Sequence, residues 1–585
     1  MNSRPRARRR AARAVLVLVA AVALAAACGR PEPASRSPEP AELVLRHGRI
    51  VTLDPMQPEA EALAARNGRI VAVGAAEDLD AYVGPETRVV ELDGRLAVPG
   101  FIETHAHFSG LGESRRILDL THQQSWDEVI ETVASAAAEA EPGEWILGRG
   151  WHQEKWREPV SPAVEGFPVH AALSRVTPRN PVVLTHASGH AVLANARALE
   201  LAGIDAGTPA PPGGDILRDA SGRPTGLLQD AAEELLETAY ERDLDTLHSA
   251  RREELAREAL ELASREAISK GVTTLHDAGA AYDDLDRMAE LIDQGRIEVR
   301  LWVMIRDSLD NHRAHIARAR GIGSHDGRLT VRALKVTMDG ALGTRTAWLL
   351  EPYSDLPGST GLTVTDPAEV RELAHLAIAA DYQLCVHAIG DRANRETLDI
   401  YEEAFREHPE KTDLRWRIEH AQHLHPDDIP RFGALGVVAA MQGVHCTSDA
   451  PWVVPRLGEQ RAAEGAYVWR SLVDSGATVV NGTDAPVEDV DPIASFYATV
   501  TRRLADGSTF HPEQALTRME ALESYTSKAA WAGFEEDVKG TLEVGKYADV
   551  AVLSKDILTV PEDEIRSARV DYTIVGGAVV YERAP

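Results

Sequence analysis

Short apolar runs alternate with longer amphipathic stretches through most of the 585-residue chain. The apolar runs have the length of buried strands, and the stretches between them carry apolar residues at helical spacing. This alternation predicts an α/β fold built on a parallel sheet. The strand candidates are Leu96–His107, Val272–His276, Val299–Ile305, Val331–Thr337, Gln383–His387, Arg415–His420, Val437–Met441 and Thr478–Thr483.

Eight strand candidates fit a (β/α)8 TIM barrel, which we place at residues 98–534. The connection after the first strand is too long for one barrel helix, so an insertion is expected at about residues 111–269. Charged residues from Ala231 to Lys270 recur at helical spacing and are interpreted as a solvated helix face. In this fold, catalytic side chains gather at the carboxyl ends of the strands.

Both ends of the chain show alternating apolar and polar positions interrupted by turn residues. The runs from Glu42 to Leu53 and from Ala60 to Gly74 come first, and the second contains the hairpin signal Asn67-Gly68. Comparable runs lie at Ala548–Leu553 and Tyr572–Tyr581. We therefore predict a small composite β-sandwich made by residues 42–97 and 535–585.

The first 41 residues have the pattern of an export signal and a tether. Six arginines precede an apolar stretch from Ala14 to Ala27 that is short for a membrane span. Residues 24–29, Leu-Ala-Ala-Ala-Cys-Gly, resemble a bacterial lipoprotein cleavage site, although Leu lies one place further from Cys28 than is usual. We predict an export signal over 1–28 with lipidation of Cys28; ordinary cleavage after Ala-x-Ala and retention as a short anchor are the alternatives.

Residues 29–41, rich in Pro, Ser and Glu, are predicted to be a flexible tether. The expected location is the periplasm of a bacterium or the periplasmic face of its membrane. Membrane attachment is expected only through the lipid on Cys28.

Composition and charge narrow the choice of partners. A hydrophobic content of 44% is ordinary for a globular protein with a large core. The formal charge of −29 disfavours binding to phosphate backbones, so nucleic acid is not an expected partner. The three cysteines are too few and too scattered for a disulfide framework.

Candidate metal-binding and catalytic residues lie at the ends of the predicted strands. His105 and His107 are two residues apart on one strand, so both imidazoles point the same way and can chelate. Lys335 points inward on the fourth strand, where burial favours pairing or a lowered pKa. The fifth, sixth and eighth strands end near His387, His420 and Asp484. Taken singly, each histidine has an alternative as a core histidine, and Lys335 as half of a salt bridge at the barrel mouth.

Together these motifs resemble the amidohydrolase superfamily, and more narrowly amidohydrolase family 3, the branch that includes N-substituted formamide deformylases. The resemblance covers nearly everything after residue 41. The motifs that carry it are Pro99–His107, Gly189-His190 with Asn195, Lys335 before Met338-Asp339-Gly340, His387–Asp391, Glu419–Gln422, Gly482–Asp484 and Gly540–Asp549.

The resemblance implies a barrel with a composite β-sandwich and a metal centre. His105 and His107 would bind the more buried metal, His387 and His420 the second, and Asp484 would contact the first metal and a bridging hydroxide. In family members with a lysine on the fourth strand, carbon dioxide carboxylates that lysine and it bridges both metals, so Lys335 would become anionic. Family members often have Asp where this chain has Glu103, which is expected to change the surroundings of the centre without loss of metal.

The expected function is hydrolysis of a carbon–nitrogen bond of a small amide-like molecule, other than a peptide bond. Two zinc ions are expected, with manganese, iron or cobalt as alternatives. A metal-bound hydroxide would attack the carbonyl carbon, and Asp484 would carry its proton to the leaving nitrogen. The alternatives are a mononuclear enzyme acting on cyclic amides or by deamination, and a periplasmic binding lipoprotein without catalytic activity.

Substrate-binding residues are predicted less directly, from their position after strands or in the insertion. Each has a structural alternative, and for Trp151 this is packing in the core of the insertion. The candidates are His190, His276, Arg345, His445 and Trp151.

Overall fold

The computed structural model describes residues 38–244 and 249–584. Eight parallel strands lie side by side in chain order, and a bridge between Ala106 and Ala485 brings the first next to the last. The predicted α/β barrel is therefore confirmed. We number its strands β1 (Phe101–Ala106), β2 (Val272–Ala280), β3 (Arg300–Ile305), β4 (Leu329–Thr337), β5 (Gln383–Ala388), β6 (Arg417–His420), β7 (Val438–Gln442) and β8 (Val479–Gly482).

The first predicted strand is divided in two at Gly100. Leu96–Pro99 pairs with strands of the terminal sheets, whereas β1 belongs to the barrel. A side chain at Gly100 could not be accommodated, because its β-carbon would lie 2.2 Å from Cγ2 of Thr273. At its other end β1 stops at Ala106, so His107, which was predicted to lie on the strand, instead begins the helix Phe108–Ser114.

Amphipathic helices cover the barrel. In the helix Asp391–Glu407, for example, the buried residues Ala393, Thr397, Tyr401 and Ala404 recur every three or four positions and face the strands. Helices around the barrel include Phe108–Ser114, Ser249–Ser269, Tyr282–Asp293, Leu309–Ala319, Pro367–Ala379, Asp391–Glu407, Ile429–Leu435, Gly443–Leu457, Glu459–Gly465, Trp469–Asp474, Pro492–Thr501, Arg518–Ser524 and Ser527–Ala532.

Strands from both ends of the chain form two packed sheets. Their facing apolar side chains, among them Leu43, Leu63, Val550 and Ile574, make one core. The four-stranded sheet contains Arg69–Gly74, Ala62–Arg66, Leu43–Arg46 and Arg88–Glu91, and the six-stranded sheet contains Ala578–Glu582, Val570–Val575, Val550–Leu553, Leu96–Pro99, Arg49–Val51 and Glu59–Ala60, each in spatial order.

The segment after β1 has a sheet and a core of its own. Its strands, in spatial order, are Gly214–Arg218, Pro224–Asp230, Ala191–Ala194, Val182–His186, Ile146–Trp151 and Leu118–Asp119. The helices that accompany them include Trp126–Glu139, Ala171–Val176, Ala196–Ala202 and Glu234–Leu244. The end of the predicted insertion is different, because Leu260 and Ala263 of the helix Ser249–Ser269 pack into the barrel core.

The predicted export signal, Cys28 and residues 29–37 of the predicted tether lie outside the described residues. Across residues 38–244 and 249–584, no helix is both long enough and apolar enough to cross a membrane.

Candidate metal centre

His105, His107 and Asp484 meet where β1 and β8 end. Oδ1 of Asp484 lies 3.4 Å from Nε2 of His105 and 3.3 Å from Nε2 of His107. The backbone of Asp484 has a φ of 59°, a left-handed conformation that Asp tolerates better than most residues. Its N–H donates to the carbonyl of His105 over 2.7 Å, which fixes the turn against β1. The carboxylate is thereby held between the two imidazoles.

His387 and His420 complete the cluster from β5 and β6. The centre of the His420 ring lies 4.4 Å from that of His387 and 4.7 Å from that of His105. Among the described residues, one potential metal-binding group is compact: donor atoms of His105, His420 and Asp484 all lie within 4.8 Å of one another. The structure thus brings the predicted histidines and the aspartate together, with three of them forming the tightest set.

Two side chains orient the imidazoles of this set. Nδ1 of His105 donates to Oε2 of Glu419 over 2.5 Å, and Nδ1 of His420 donates to Oε1 of Gln442 over 2.8 Å. Because each Nδ1 carries the proton, each Nε2 offers its lone pair to the centre. Glu419 is itself held by the buried Arg417 over 2.7 Å. Neither orienting role was predicted, since the sequence does not specify which acceptor faces which ring.

Replacing Gln442 by Met is expected to lower metal affinity by about 10- to 100-fold, because His420 loses the acceptor that fixes its tautomer. The measurement is a competition titration against a chromogenic chelator. Gln460→Met serves as a control on an exposed helix position. Equal affinity of the Gln442 variant and the wild type would show that the Gln442 contact does not orient a ligand.

The donor set fits a divalent metal ion. Within the part of the chain that the structure describes, the buried atoms His105 Nε2, His387 Nε2 and Asp484 Oδ1 have no hydrogen-bond partner. Buried polar atoms are normally paired, so three unpaired atoms in one cluster indicate a place where a ligand can bind. Burial holds the pKa values of His387 and His420 well below the ordinary value, which keeps both rings neutral for coordination. Imidazole nitrogens with a carboxylate oxygen are typical zinc ligands.

Lys335 lies inside the barrel on β4 and is 3% exposed. Its Nζ is 3.5 Å from the carbonyl of Ala278 on β2, a long contact for a charged donor. Burial lowers the pKa of Lys335 to about 8. The neutral amine, which is the form that reacts with carbon dioxide, is therefore accessible near physiological pH.

Glu103 joins strands and does not belong to the set of donor atoms. Its Oε1 accepts hydrogen bonds from the backbone N–H groups of His105 over 3.0 Å and Thr483 over 2.8 Å. Burial raises the pKa of Glu103 to about 7. A β-carbon at Gly482 would come within 2.4 Å of the carboxylate, so glycine is needed there. Glu103 thus holds β1 to β8 beneath the cluster.

Two of the predicted substrate-binding residues line the cavity above the cluster. His190 comes from the insertion, and its Nδ1 donates to Oδ1 of Asp230 over 2.7 Å. His445 accepts a hydrogen bond from Gln422 through Nδ1 over 3.1 Å. His152 and Trp452 also line this cavity. The signal that could have indicated His152 is its place directly after the strand that ends in Trp151.

The structure does not bring the other three candidates to the cavity. Trp151 is fully buried in the core of the insertion, where its indole N–H donates to the carbonyl of Leu184 over 2.8 Å, so packing is its role. His276 lies inside the barrel against Trp302 and Arg417. Arg345 points to the outer loops and pairs with Asp355 over 3.0 Å. Strand-end position alone did not distinguish these side chains from lining residues.

A barrel with imidazoles and a carboxylate at its strand ends is typical of metal-dependent hydrolases. The amidohydrolase family model matches residues 88–581, and the chain belongs to this family. It is 35% identical to the protein LONG AFTER FAR-RED 3 of Arabidopsis thaliana, with 92% of each chain covered. It is 28% identical to the N-substituted formamide deformylase of Arthrobacter pascens, over 93% of this chain and 98% of that enzyme.

A solved structure with the same architecture is that of an uncharacterized metal-dependent hydrolase from Pyrococcus horikoshii. It is 27% identical in sequence and superimposes with a TM-score of 0.70, covering 89% of this chain and 99% of that one. The resemblance stated from the motifs is therefore confirmed at the level of the family.

Proposed function

We propose that the protein hydrolyses a carbon–nitrogen bond, other than a peptide bond, in a small amide-like molecule, with zinc as the metal. The observation that carries the proposal is the convergence of His105, His387, His420 and Asp484, with unpaired donor atoms, at the bottom of a lined cavity. The 28% identity to an N-substituted formamide deformylase supports a substrate of this kind.

His105, His107, His387, His420 and Asp484 would hold the metal, and a carboxylated Lys335 would bridge two ions. When bound, zinc supplies a Lewis acid that polarises a carbonyl and activates water near neutral pH. The carboxylate of Asp484 would accept a proton during attack and donate it to the leaving nitrogen. Burial alone would raise the pKa of Asp484, but the imidazoles of His105, His107 and His420 beside its carboxylate outweigh that effect and hold the pKa well below its usual range, so Asp484 starts as the anion.

The proposal is tested by elemental analysis of the purified protein, followed by a screen of N-formyl, N-acyl and cyclic amides. We expect about two zinc ions per chain and metal-dependent release of amine from at least one N-substituted amide. Retained metal without hydrolysis across the panel would contradict the proposal and favour a binding protein.

A second candidate is a mononuclear enzyme acting on cyclic amides or by deamination. It is favoured by the compactness of the group His105, His420 and Asp484, which offers enough ligands for one ion. A content of about one ion per active chain, with hydrolysis of cyclic substrates or release of ammonia, would support this candidate.

We also propose that the protein is exported and carries a lipid on Cys28. The residues 24–29 and the preceding arginines support this proposal. In a bacterial expression host, the mature wild type is expected to partition into detergent and to incorporate labelled palmitate, because diacylation adds two buried acyl chains. Cys28→Ala should abolish labelling; equal labelling of both proteins would contradict the proposal.

A further inference from the structure

The cavity that is lined by His387, His420 and Asp484 is also lined by Gly343, in the loop after β4, and the space beside this glycine forms a small recess. His152 of the insertion and Trp452 of the helix Gly443–Leu457 flank it, with ring centres 4.3 Å apart. A β-carbon on Gly343 would lie 3.4 Å from His152 Nε2 and 3.6 Å from Trp452 Nε1. Both ring nitrogens therefore lie within 3.6 Å of one point. We call this recess the Gly343 niche.

Both nitrogens are hydrogen-bond donors. Nδ1 of His152 accepts a hydrogen bond from the backbone N–H of Glu154 over 3.2 Å, so the proton of the neutral ring is on Nε2. Burial holds the pKa of His152 well below its ordinary value, which keeps the ring neutral. Trp452 is 3% exposed, and within the described residues its indole N–H has no hydrogen-bond partner. An indole N–H that is buried usually has a partner, and here the cavity is where one can bind.

The cations near the niche are paired with carboxylates, and Lys155, which also lines the cavity, lies 3.8 Å from Glu488. The neighbouring Arg456 donates to the carbonyl of Gly343 over 3.3 Å, but its guanidinium is already paired with Glu154 over 2.8 Å and with Asp355. Two neutral N–H groups without a free cation fit a neutral acceptor, such as a carbonyl oxygen, better than a carboxylate.

We propose that the Gly343 niche is a specificity site that binds a second, neutral acceptor oxygen of the substrate, distinct from the oxygen of the bond that is cleaved. The scissile carbonyl belongs at the strand ends with the metal ligands, whereas the niche is built from the insertion, a loop and a helix. The substrate class is thereby narrowed to N-substituted amides that carry another carbonyl-type oxygen. This inference rests on the proposed function.

The test compares matched substrates. N-formyl derivatives of glycinamide, β-alaninamide and 4-aminobutanamide are each paired with a counterpart in which isopropyl replaces the terminal carboxamide. For at least one spacer length, the wild type should prefer the carboxamide by about 10-fold or more in kcat/KM, because only this compound pairs the buried N–H groups. Equal kcat/KM values within every pair would overturn the inference.

Three variants test whether the preference for the carboxamide substrate comes from the Gly343 niche. Gly343→Ala fills the niche without strain, because its β-carbon makes ordinary contacts and its backbone is outside the left-handed region. Trp452→Phe keeps a ring and removes the N–H. In both, the ratio of kcat/KM within the pair should fall to about one. Gly358→Ala, in the same loop with no described atom within 4 Å of its β-carbon, should keep the wild-type ratio. A ratio that survives both niche variants would overturn the inference.

Failure of the proposed function would be recognised separately, as absence of metal-dependent turnover for every compound. In that case the same pairs are compared as ligands of the zinc-loaded protein by isothermal titration. A preference in Kd that Gly343→Ala abolishes supports the niche, and equal or absent binding of both members overturns it.

Discussion

Replacing Asp484 by Asn is expected to lower turnover by about 10³-fold while the metal content stays unchanged. The amide has the shape of the carboxylate and keeps one oxygen near His105 and His107, so the ligand cluster is preserved. It cannot accept the proton of the attacking water or return it to the leaving nitrogen. The loss should therefore fall on kcat, with little change in metal stoichiometry.

Elemental analysis and kinetics on one preparation separate these two effects. Asp427→Asn is a suitable control, because the Asp427 side chain is 86% exposed and lies away from the cluster. Full turnover in the Asp484 variant would rule out its role as a proton carrier. Loss of metal together with activity would show that the main role of Asp484 is to bind the metal.

Replacing Lys335 by Ala is expected to have the second large effect. If carboxylated Lys335 bridges two ions, its removal should reduce the metal content from about two ions to about one. Changes to groups that only orient metal ligands cost 10- to 100-fold in affinity, so loss of a ligand should cost more than about 100-fold in metal affinity or activity. Because the pKa of Lys335 is lowered to about 8, bicarbonate added together with zinc should restore activity to the metal-free protein more strongly as the pH rises to 8.

A chemical rescue distinguishes the bridging role from a structural role. Acetate or propionate can place a carboxylate in the space left by the lysine side chain and should restore part of the metal content and activity of Lys335→Ala. A cavity left in the core would not respond to carboxylates in this way. Unchanged metal content in the variant would refute the bridge.

The barrel and the cluster were predictable because each depends on local patterns. Alternation of apolar strands with helices identified all eight barrel strands, and the spacing of His105 and His107 placed two imidazoles on one side of a strand. The boundary at Gly100 was not predictable, because it depends on the side chain of Thr273, which is distant in sequence. Continuous hydrophobicity from Leu96 to Phe101 hid the change of sheet.

The cavity wall was harder to predict than the metal ligands. Strand ends converge by topology, whereas the insertion and the helix after β7 meet the cavity only through tertiary packing. Trp151 and His152 are adjacent, yet one is buried in the insertion and the other lines the cavity. The alternation of side chains along an extended segment separates such neighbours, but the sequence does not reveal which side faces the substrate. The orienting roles of Glu419 and Gln442 were missed for a related reason, since their partners come from other strands.

The position of Val550–Leu553 has a consequence for biosynthesis. This strand lies between Leu96–Pro99 and Val570–Val575, and Leu96–Pro99 continues through Gly100 into the strand that carries His105. A nascent chain therefore cannot complete this sheet until nearly all of its residues have left the ribosome. Folding of the segment next to the histidine pair is thereby postponed until Val550–Leu553 has been synthesised, and the first barrel strand is anchored only when these two distant parts of the chain have met.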